Sequence, residues 1–156
     1  MDQLWRIQLL GALRVSRDDA VLTRFRTQRT ASLLGFLAIH LGEPQPREHL
    51  IDLIWPDLGL DSGRNNLGVS LNSLRKQLEP PEVPLGAILR TTRTDVLLEA
   101  RGVSVDACDF ETLTTRAESA SSEDETAGLL SEAVALYRGP LLSGLSDEWI
   151  APERDR

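Results

Sequence analysis

The 156-residue sequence has one cysteine, Cys108, and no long apolar run. A single thiol excludes an internal disulfide and fits a reducing compartment. The chain opens with Met1-Asp2, and Arg6 and Gln8 interrupt the apolar residues that follow, so we expect no signal peptide. No apolar stretch approaches the roughly 20 residues of a membrane-spanning helix. These absences predict a soluble, cytoplasmic protein that does not act on a membrane.

The sequence also lacks the residue patterns of catalytic and metal-binding sites. His40 and His49 have no cysteine or carboxylate at metal-ligand spacing, and no glycine-rich phosphate loop is found. The acidic run at residues 123–125 fits a solvated helix start better than a metal site. Cys108 lies in an amphipathic stretch, which is typical of a small buried side chain. We therefore expect no enzyme activity, no cofactor and no metal ion.

Positive charge is in the minority, with 17 Lys+Arg against 24 Asp+Glu and a net charge of −7. The imbalance is not uniform along the chain. Residues 1–99 hold 12 Lys+Arg and 12 Asp+Glu, whereas residues 100–156 hold 5 and 12. The acidity therefore belongs to the second part, and the cations of the neutral first part are free to cluster on one surface.

The most informative stretch, residues 62–78, combines an apolar stripe with a polar face. Its leucines recur at helical spacing and predict a helix with one buried side, capped by Asp61 or Ser62. On the opposite side, no carboxylate occurs between Arg64 and Gln77. Amide and cationic groups on such a face suit DNA base edges and phosphates, whereas a core helix that lacks acids by chance is the alternative. The leucines of the buried stripe are Leu67, Leu71, Leu74 and Leu78.

The residues around this helix predict a small unit of strands and helices. Thr27 is expected to cap the first helix, and Gly42 to close it. The second and third helices form a helix-turn-helix with a long turn, and a hairpin with cations at its tip forms a wing. The predicted strands cover 4–10, 13–16 and a third that begins at 21, the helices cover 28–41, 47–55 and 62–78, and the hairpin joins 87–90 to 96–99.

Residues after Gly102 predict a pair of antiparallel helices. One contains residues 110–117 and the other covers 127–137, with a polar link between them. A pair of this size is tetratricopeptide-like and cannot bury its apolar face alone. We therefore expect its apolar residues to pack on the first part of the chain or to drive self-association. These residues include Leu136, Leu141, Leu142 and Trp149.

Two adjoining parts of the chain resemble known families. Residues 4–99 resemble a winged helix of the OmpR/PhoB type, in the version found in Streptomyces antibiotic regulatory proteins. The residues after Gly102 resemble the start of a bacterial transcriptional activator domain, which follows the winged helix in that family. The first resemblance is carried by Leu10-Gly11, Arg29, Ala31, Leu33-Leu34, residues 47–56, Arg64 to Leu67 and Leu74 to Glu79, and the second by Val105-Asp106, Asp109-Phe110, residues 135–142 and Glu148-Trp149.

The resemblance implies an α+β winged helix-turn-helix, with a small antiparallel sheet, three helices and a wing, followed by an all-α tetratricopeptide-like segment. It places the DNA-binding domain at residues 1–101. Residues 102–156 would be the first part of a helical activator domain, so we expect either a fragment of a longer protein or an unusually short member of the family. The implied function is sequence-specific activation of transcription on the bacterial nucleoid, without enzyme activity.

The resemblance also implies a role for individual residues. The third helix would lie in the major groove of double-stranded promoter DNA, and the wing would approach the minor groove. RNA polymerase, through its sigma and alpha subunits, would contact the loop between the second and third helices at Asp57, Leu58 and Asp61. Relatives bind repeated sites, which leaves homodimerisation open. The expected DNA contacts are Arg64, Asn65, Val69, Asn72, Ser73, Arg75 and Lys76 on the helix, Arg90 and Arg93 on the wing, and Arg29, with Arg24 and Arg26, at the first helix.

Three positions depart from the family pattern. Relatives often carry arginine or glutamine at the position of Gly68, and arginine at the position of Ser73. The wing usually contains a Gly-Tyr pair near Thr94-Asp95, so we expect a differently shaped wing here. Because two long polar side chains are missing from the DNA-facing side, a second hypothesis stays open. In it, the winged helix has lost DNA binding and the chain is a protein-interaction module.

Overall fold

A computed structural model of the chain describes residues 5–145 and 147–155. Leu4, where the first predicted strand begins, lies outside the described residues. The strands are β1 (Trp5–Gln8), β2 (Arg14–Arg17), β3 (Ala20–Leu22), β4 (Gln45–Pro46), β5 (Leu89–Thr91), β6 (Asp95–Leu98) and β7 (Val103–Val105). The helices are α1 (Gln28–Ile39), α2 (Arg47–Ile54), α3 (Leu60–Leu78), α4 (Asp106–Glu118), α5 (Glu123–Leu136) and α6 (Ile150–Arg154).

The N-terminal sheet has four strands in the order β3-β2-β1-β7. The three antiparallel strands were predicted, and the fourth, β7, pairs in parallel with β1 and was not. All three residues of β7 are buried, so the strand shows no alternation that a sequence pattern could reveal. Through β7 the residues after Gly102 share a sheet with the start of the chain.

The predicted first strand is shorter than expected because a carboxylate replaces its strand partner. Asp106, which is buried at the start of α4, accepts hydrogen bonds from the backbone N–H groups of Leu9 (2.6 Å) and Leu10 (3.0 Å). Beyond that point the chain forms only isolated bridges to Leu141. A buried backbone donor needs a partner, and a side chain serves as well as a strand. The strand therefore ends at Gln8 instead of residue 10.

The helices agree with the sequence pattern apart from their ends. Thr27 caps α1 as predicted, since its hydroxyl accepts from the N–H of Thr30. The helix ends at Ile39, two residues earlier than expected, and Gly42 closes the turn at φ +79°. The prediction that Asp61 or Ser62 caps the third helix is wrong. The helix starts at Leu60 behind Gly59, which has no side chain to accept a hydrogen bond.

The buried stripe of α3 forms much of the core of the winged helix. All four of its leucines are buried, as predicted, and they belong to the same cluster as α1 and α2. A Cβ atom at Gly63 would overlap Ile51 of α2, so the two helices approach closely at this point. The helix-turn-helix therefore holds α3 by one side and leaves its other side open.

The wing is a three-stranded sheet in the order β4-β6-β5. The predicted hairpin is present, shifted by one or two residues, and Leu89 pairs with Leu98. The short strand β4, between α1 and α2, adds the third strand by pairing Gln45 with Val96. The wing is thus attached to the start of α2 as well as to α3.

The segment after α5 packs on the winged helix, which is one of the two outcomes that the sequence predicted. Leu142 is fully buried and fills the space above Gly35 of α1, where a Cβ atom would lie 2.9 Å from the leucine side chain. The backbone N–H of Leu142 donates to the carbonyl of Leu9 (2.7 Å). The indole of Trp149 donates to the hydroxyl of Ser32 on α1 (2.9 Å). The two parts of the chain therefore share one hydrophobic core.

Replacing Leu142 by alanine tests this shared core. The substitution Leu142→Ala leaves a cavity above Gly35 and should destabilise the whole chain by about 2–5 kcal/mol. Chemical denaturation should still show a single cooperative transition, at a lower midpoint. The matched control is Leu85→Ala, because Leu85 is 80% exposed and its loss should be nearly neutral. Two separate transitions in the wild-type chain would contradict the shared core.

Candidate nucleic-acid interface

The open side of α3 presents the predicted DNA-contact residues together. Asn65, Asn72 and Lys76 are exposed, while Val69 and Ser73 are half-buried on the same side. A Cβ atom at Gly68 would meet nothing within 4 Å, so this position is open as well. From Asn65 to Lys76 the surface of the helix offers amides, a hydroxyl and a cation, with no carboxylate of its own.

Arg64, at the N-terminal end of this surface, is paired within the chain. Its guanidinium lies 3.6 Å from the carboxylate of Glu48 on α2 and 4.0 Å from that of Asp61. All three side chains are more than half exposed, so these pairs contribute little to stability. A DNA phosphate can therefore replace either carboxylate as the partner of Arg64.

Arg75 differs from the other predicted contacts because its hydrogen bonds point into the protein. One terminal nitrogen donates to Glu79 Oε1 (2.6 Å), and the other donates to the hydroxyl of Thr91 at the end of β5 (3.1 Å). Its side chain is 26% exposed, whereas the carboxylate of Glu79 is fully buried. Arg75 thus connects the end of α3 to the wing and does not extend from the open face.

Glu79 is the anchor of this connection. Its carboxylate accepts hydrogen bonds from the backbone N–H groups of Gly86, Ile88 and Leu89, in addition to the one from Arg75. Burial alone would raise the pKa of Glu79, but the accepted hydrogen bonds outweigh it and hold the pKa below its ordinary value of 4.5. The carboxylate is therefore charged at neutral pH and joins the end of α3 to residues 86–89.

Within the described residues, the wing carries one paired cation in β5 and one unpaired cation at its tip. Arg90 lies 3.0 Å from the carboxylate of Glu99. Arg93 is exposed and has no ion pair within the part of the chain that the structure describes. The tip is shaped without a glycine, because the hydroxyl of Thr92 accepts from the N–H groups of Thr94 (3.3 Å) and Asp95 (2.9 Å). No residue of this turn has a positive φ, so Asp95 does not stand in for a glycine.

The structure brings together two residues that the sequence assigned to different partners. Arg29, a predicted phosphate contact, lies 2.8 Å from Asp57, a predicted polymerase contact. The hydrogen bond from Arg29 lowers the pKa of Asp57, and the carboxylate raises the pKa of Arg29. Leu58 is half-buried against the core, so its side chain is largely committed to the fold. Arg24 and Arg26 are exposed nearby in sequence.

Arg47 was not among the predicted contacts, yet it lines a cleft between α2, α3 and the wing. The cleft has a volume of about 640 Å³ and is also lined by Arg64 and Arg93. Arg47 donates from Nε to the carbonyl of Thr92 (2.9 Å), and its backbone N–H donates to the carbonyl of Thr94 (2.9 Å). A cation at the first position of a helix is unfavourable to the helix dipole. An arginine at this unfavourable position of α2 is therefore the sequence signal that could have indicated a tertiary contact for Arg47.

Among residues 5–145 and 147–155, no cluster of three or more His, Cys, Asp or Glu side chains is placed to hold a metal. Burial, together with the neighbouring acids, raises the pKa of the Cys108 thiol to about 11, so it is not a nucleophile at neutral pH. His40 packs against Phe36 and lies 3.3 Å from Glu43. In the described part of the chain, no helix is both long and apolar enough to span a membrane.

The anchoring role of Glu79 predicts a pH-dependent loss of stability. Because the pKa of Glu79 is lowered on folding, its contribution is present at neutral pH and is lost as the pH falls below 4.5 toward the lowered value. Glu79→Gln should destabilise the chain at pH 7 by roughly 1–3 kcal/mol, since it leaves buried donors unpaired. The difference from wild type should shrink on acidification, as measured by urea denaturation. If the stability difference between Glu79→Gln and wild type does not change with pH, as expected for the exposed control Glu118→Gln, the anchoring role of Glu79 is contradicted.

Comparison with known proteins agrees with this architecture. Residues 105–156 match the family described as the bacterial transcriptional activator domain. A solved structure of Mycobacterium tuberculosis EmbR, in complex with a low affinity phosphopeptide, superposes with a TM-score of 0.85 at 21% identity. The match covers 99% of this chain and 41% of that chain, so this chain spans less than half of EmbR's length. No significant match is found among curated proteins.

These findings confirm the predicted α+β class and the order of a winged helix followed by a helical segment. The domain match belongs to a class of transcriptional regulators, not to a class of enzymes. The resemblance to Streptomyces antibiotic regulatory protein-type activators is thereby supported by the domain match over residues 105–156 and by the shared architecture.

Proposed function

We propose that this chain is the promoter-binding part of a transcriptional activator, and that α3 reads DNA in the major groove. The observation that carries the proposal is the open, carboxylate-free side of α3 between Asn65 and Lys76. Asparagine pairs with the edge of adenine, and cations pair with guanine or phosphate. The half-buried Val69 on the same side suits a thymine methyl group. A solvated helix face has no need for this combination.

The charges around α3 provide contacts to the DNA backbone. Arg93 at the wing tip reaches the minor groove or its phosphates, and Arg90 assists once Glu99 is displaced. Arg64 exchanges its weak carboxylate partners for a phosphate at the other end of the helix. The acidic second part packs on β1 and β7 through α4, so its charge is attached to the sheet of the winged helix. It opposes non-specific binding through long-range repulsion.

Recruitment of RNA polymerase belongs to the turn between α2 and α3. Asp57 and Asp61 are exposed there. Asp57 pairs with Arg29 and Asp61 pairs with Arg64, and a DNA phosphate can compete with either carboxylate for its arginine. When Arg29 contacts DNA, Asp57 becomes available to a cationic surface of the sigma or alpha subunit. Repeated promoter sites would place two copies side by side on the nucleoid. Residues 1–101 would form the DNA-binding domain and 102–156 the start of the activator domain.

A protein-interaction module is the second candidate, and one observation favours it. Helix α5 exposes Leu130 and Val134, followed by Tyr137 at its end, which places three apolar residues on one helical face. A partner that covers this face would be compatible with DNA binding and would not require it. The candidates separate on whether the wild-type chain binds duplex DNA with a steep dependence on salt.

Single substitutions on α3 test the proposal. Asn72→Ala should weaken binding to a selected duplex by about 1–3 kcal/mol and relax base preference at one position. Lys76→Ala should weaken all sequences similarly and reduce the salt slope by about one unit, because one phosphate contact is lost. Fluorescence titrations at several salt concentrations measure both effects.

Asn66→Ala is the matched control for the first substitution, because the amide of Asn66 donates to the carbonyl of Ser62 within the helix. Arg116→Ala, which removes an exposed cation from α4, is the control for the second. If Asn72→Ala and Lys76→Ala stay folded and bind as tightly as wild type, α3 does not read DNA and the interaction module becomes the better account.

A further inference from the structure

Two arginines attach the wing to the helices, and both use their hydrogen bonds inside the protein. Arg75 joins the end of α3 to the tip end of strand β5 through Thr91. Arg47 joins the start of α2 to the wing tip through the carbonyls of Thr92 and Thr94. The wing is therefore held at two points, by Arg75 at Thr91 and by Arg47 at Thr92 and Thr94.

We propose that Arg75 is a positioning residue that sets the place of the wing relative to α3, and not a contact to the DNA backbone. The inference rests on the proposed function, because a position is useful only if both α3 and the wing touch DNA. Arg47 supports the same placement from the other side. The sequence suggested a phosphate contact for Arg75, as it did for Arg64 and the two wing arginines.

The partner of Arg75 separates it from the other cations. Arg64 and Arg90 pair with carboxylates while 56% and 60% of their own side chains stay exposed. The carboxylate of Glu48 is 75% exposed and that of Glu99 is 20% exposed, so the pair of Arg64 exchanges more easily than the pair of Arg90. The carboxylate that holds Arg75 is fully buried and is itself fixed by three backbone N–H groups. If Arg75 turned toward a phosphate, this buried charge would lose a partner, which is strongly unfavourable. Arg75 therefore stays in place when DNA binds.

The position of Thr91 explains why its hydrogen bond with Arg75 matters for DNA recognition. Thr91 is the last residue of β5, and Arg93 follows two residues later in the turn. On the helix, Arg75 is one residue from Lys76 and one turn from Asn72. A single hydrogen bond thus relates the free cation of the wing to the groove-facing residues of α3. If the wing and α3 are already held in the right relative position before DNA binds, less conformational entropy is lost on binding.

A double-mutant cycle between Arg75 and Arg93 tests the proposal on the full chain. The probe is a labelled duplex selected by the wild-type chain from a randomised pool. In the wild-type background, Arg93→Ala should weaken binding roughly eightfold at 0.1 M salt, since each phosphate contact adds about 0.9 to the salt slope. In the Arg75→Met background, the wing is no longer aligned, and Arg93→Ala should weaken binding by less than about twofold.

Two further variants separate position from charge. Arg75→Lys keeps the charge but cannot bond Glu79 and Thr91 with a planar fork, so it should behave like Arg75→Met. Thr91→Val removes only the bond to the wing and should itself weaken binding, with a reduced effect of Arg93→Ala in its background. If Arg75→Met does not fold, the Thr91→Val cycle decides. Arg90→Met is the control, because within the described residues no hydrogen bond or ion pair joins Arg90 to α3. Its effect on affinity should multiply with that of Arg93→Ala.

The outcomes are distinct. If the effects of Arg75→Met and Arg93→Ala multiply and each lowers the salt slope by about one unit, Arg75 contacts phosphate and the proposal is overturned. Wild-type affinity in Thr91→Val, or no effect of Arg93→Ala in the wild-type background, would also overturn it. A wild-type chain that binds no duplex would overturn the proposed function itself, and the positioning role with it.

Discussion

The buried carboxylate of Glu79 is the interaction on which the candidate interface depends. It lies where α3 ends, and its hydrogen bonds reach Arg75 on one side and residues 86–89 on the other. Leaving a charge in a buried position is tolerable only when its hydrogen-bonding capacity is filled, as it is here. The same group that ends the helix therefore determines where the first strand of the wing begins.

A second constraint joins the two parts of the chain through α1. Gly35 leaves a space that Leu142 fills, and Ser32 accepts from the indole of Trp149 while it donates to Asp147 (2.6 Å). Helix α1 thus contacts α2 and α3 on one side and Leu142 and Trp149 on another.

Local patterns were enough to predict most of the fold but only part of the site. The leucine stripe of α3 and the cap at Thr27 are local signals, and both are confirmed. Strand β7 was missed because its partner lies almost a hundred residues away in the chain and all three of its residues are buried. The open face of α3 follows directly from the stripe. The bond from Arg75 to Thr91 and the ion pair between Arg29 and Asp57 could not be predicted, because these partners approach each other only after the chain has folded.

Amide chemical shifts of the whole chain, titrated with a duplex selected from a randomised pool, test the central claim most directly. The account predicts shifts at residues 64–76 of α3 and at residues 92–95 of the wing tip, with smaller ones near Arg29. It also predicts that these shifts diminish as salt is raised, because phosphate contacts release counterions. Shifts confined to α4 and α5, with none on the open face of α3, would contradict it.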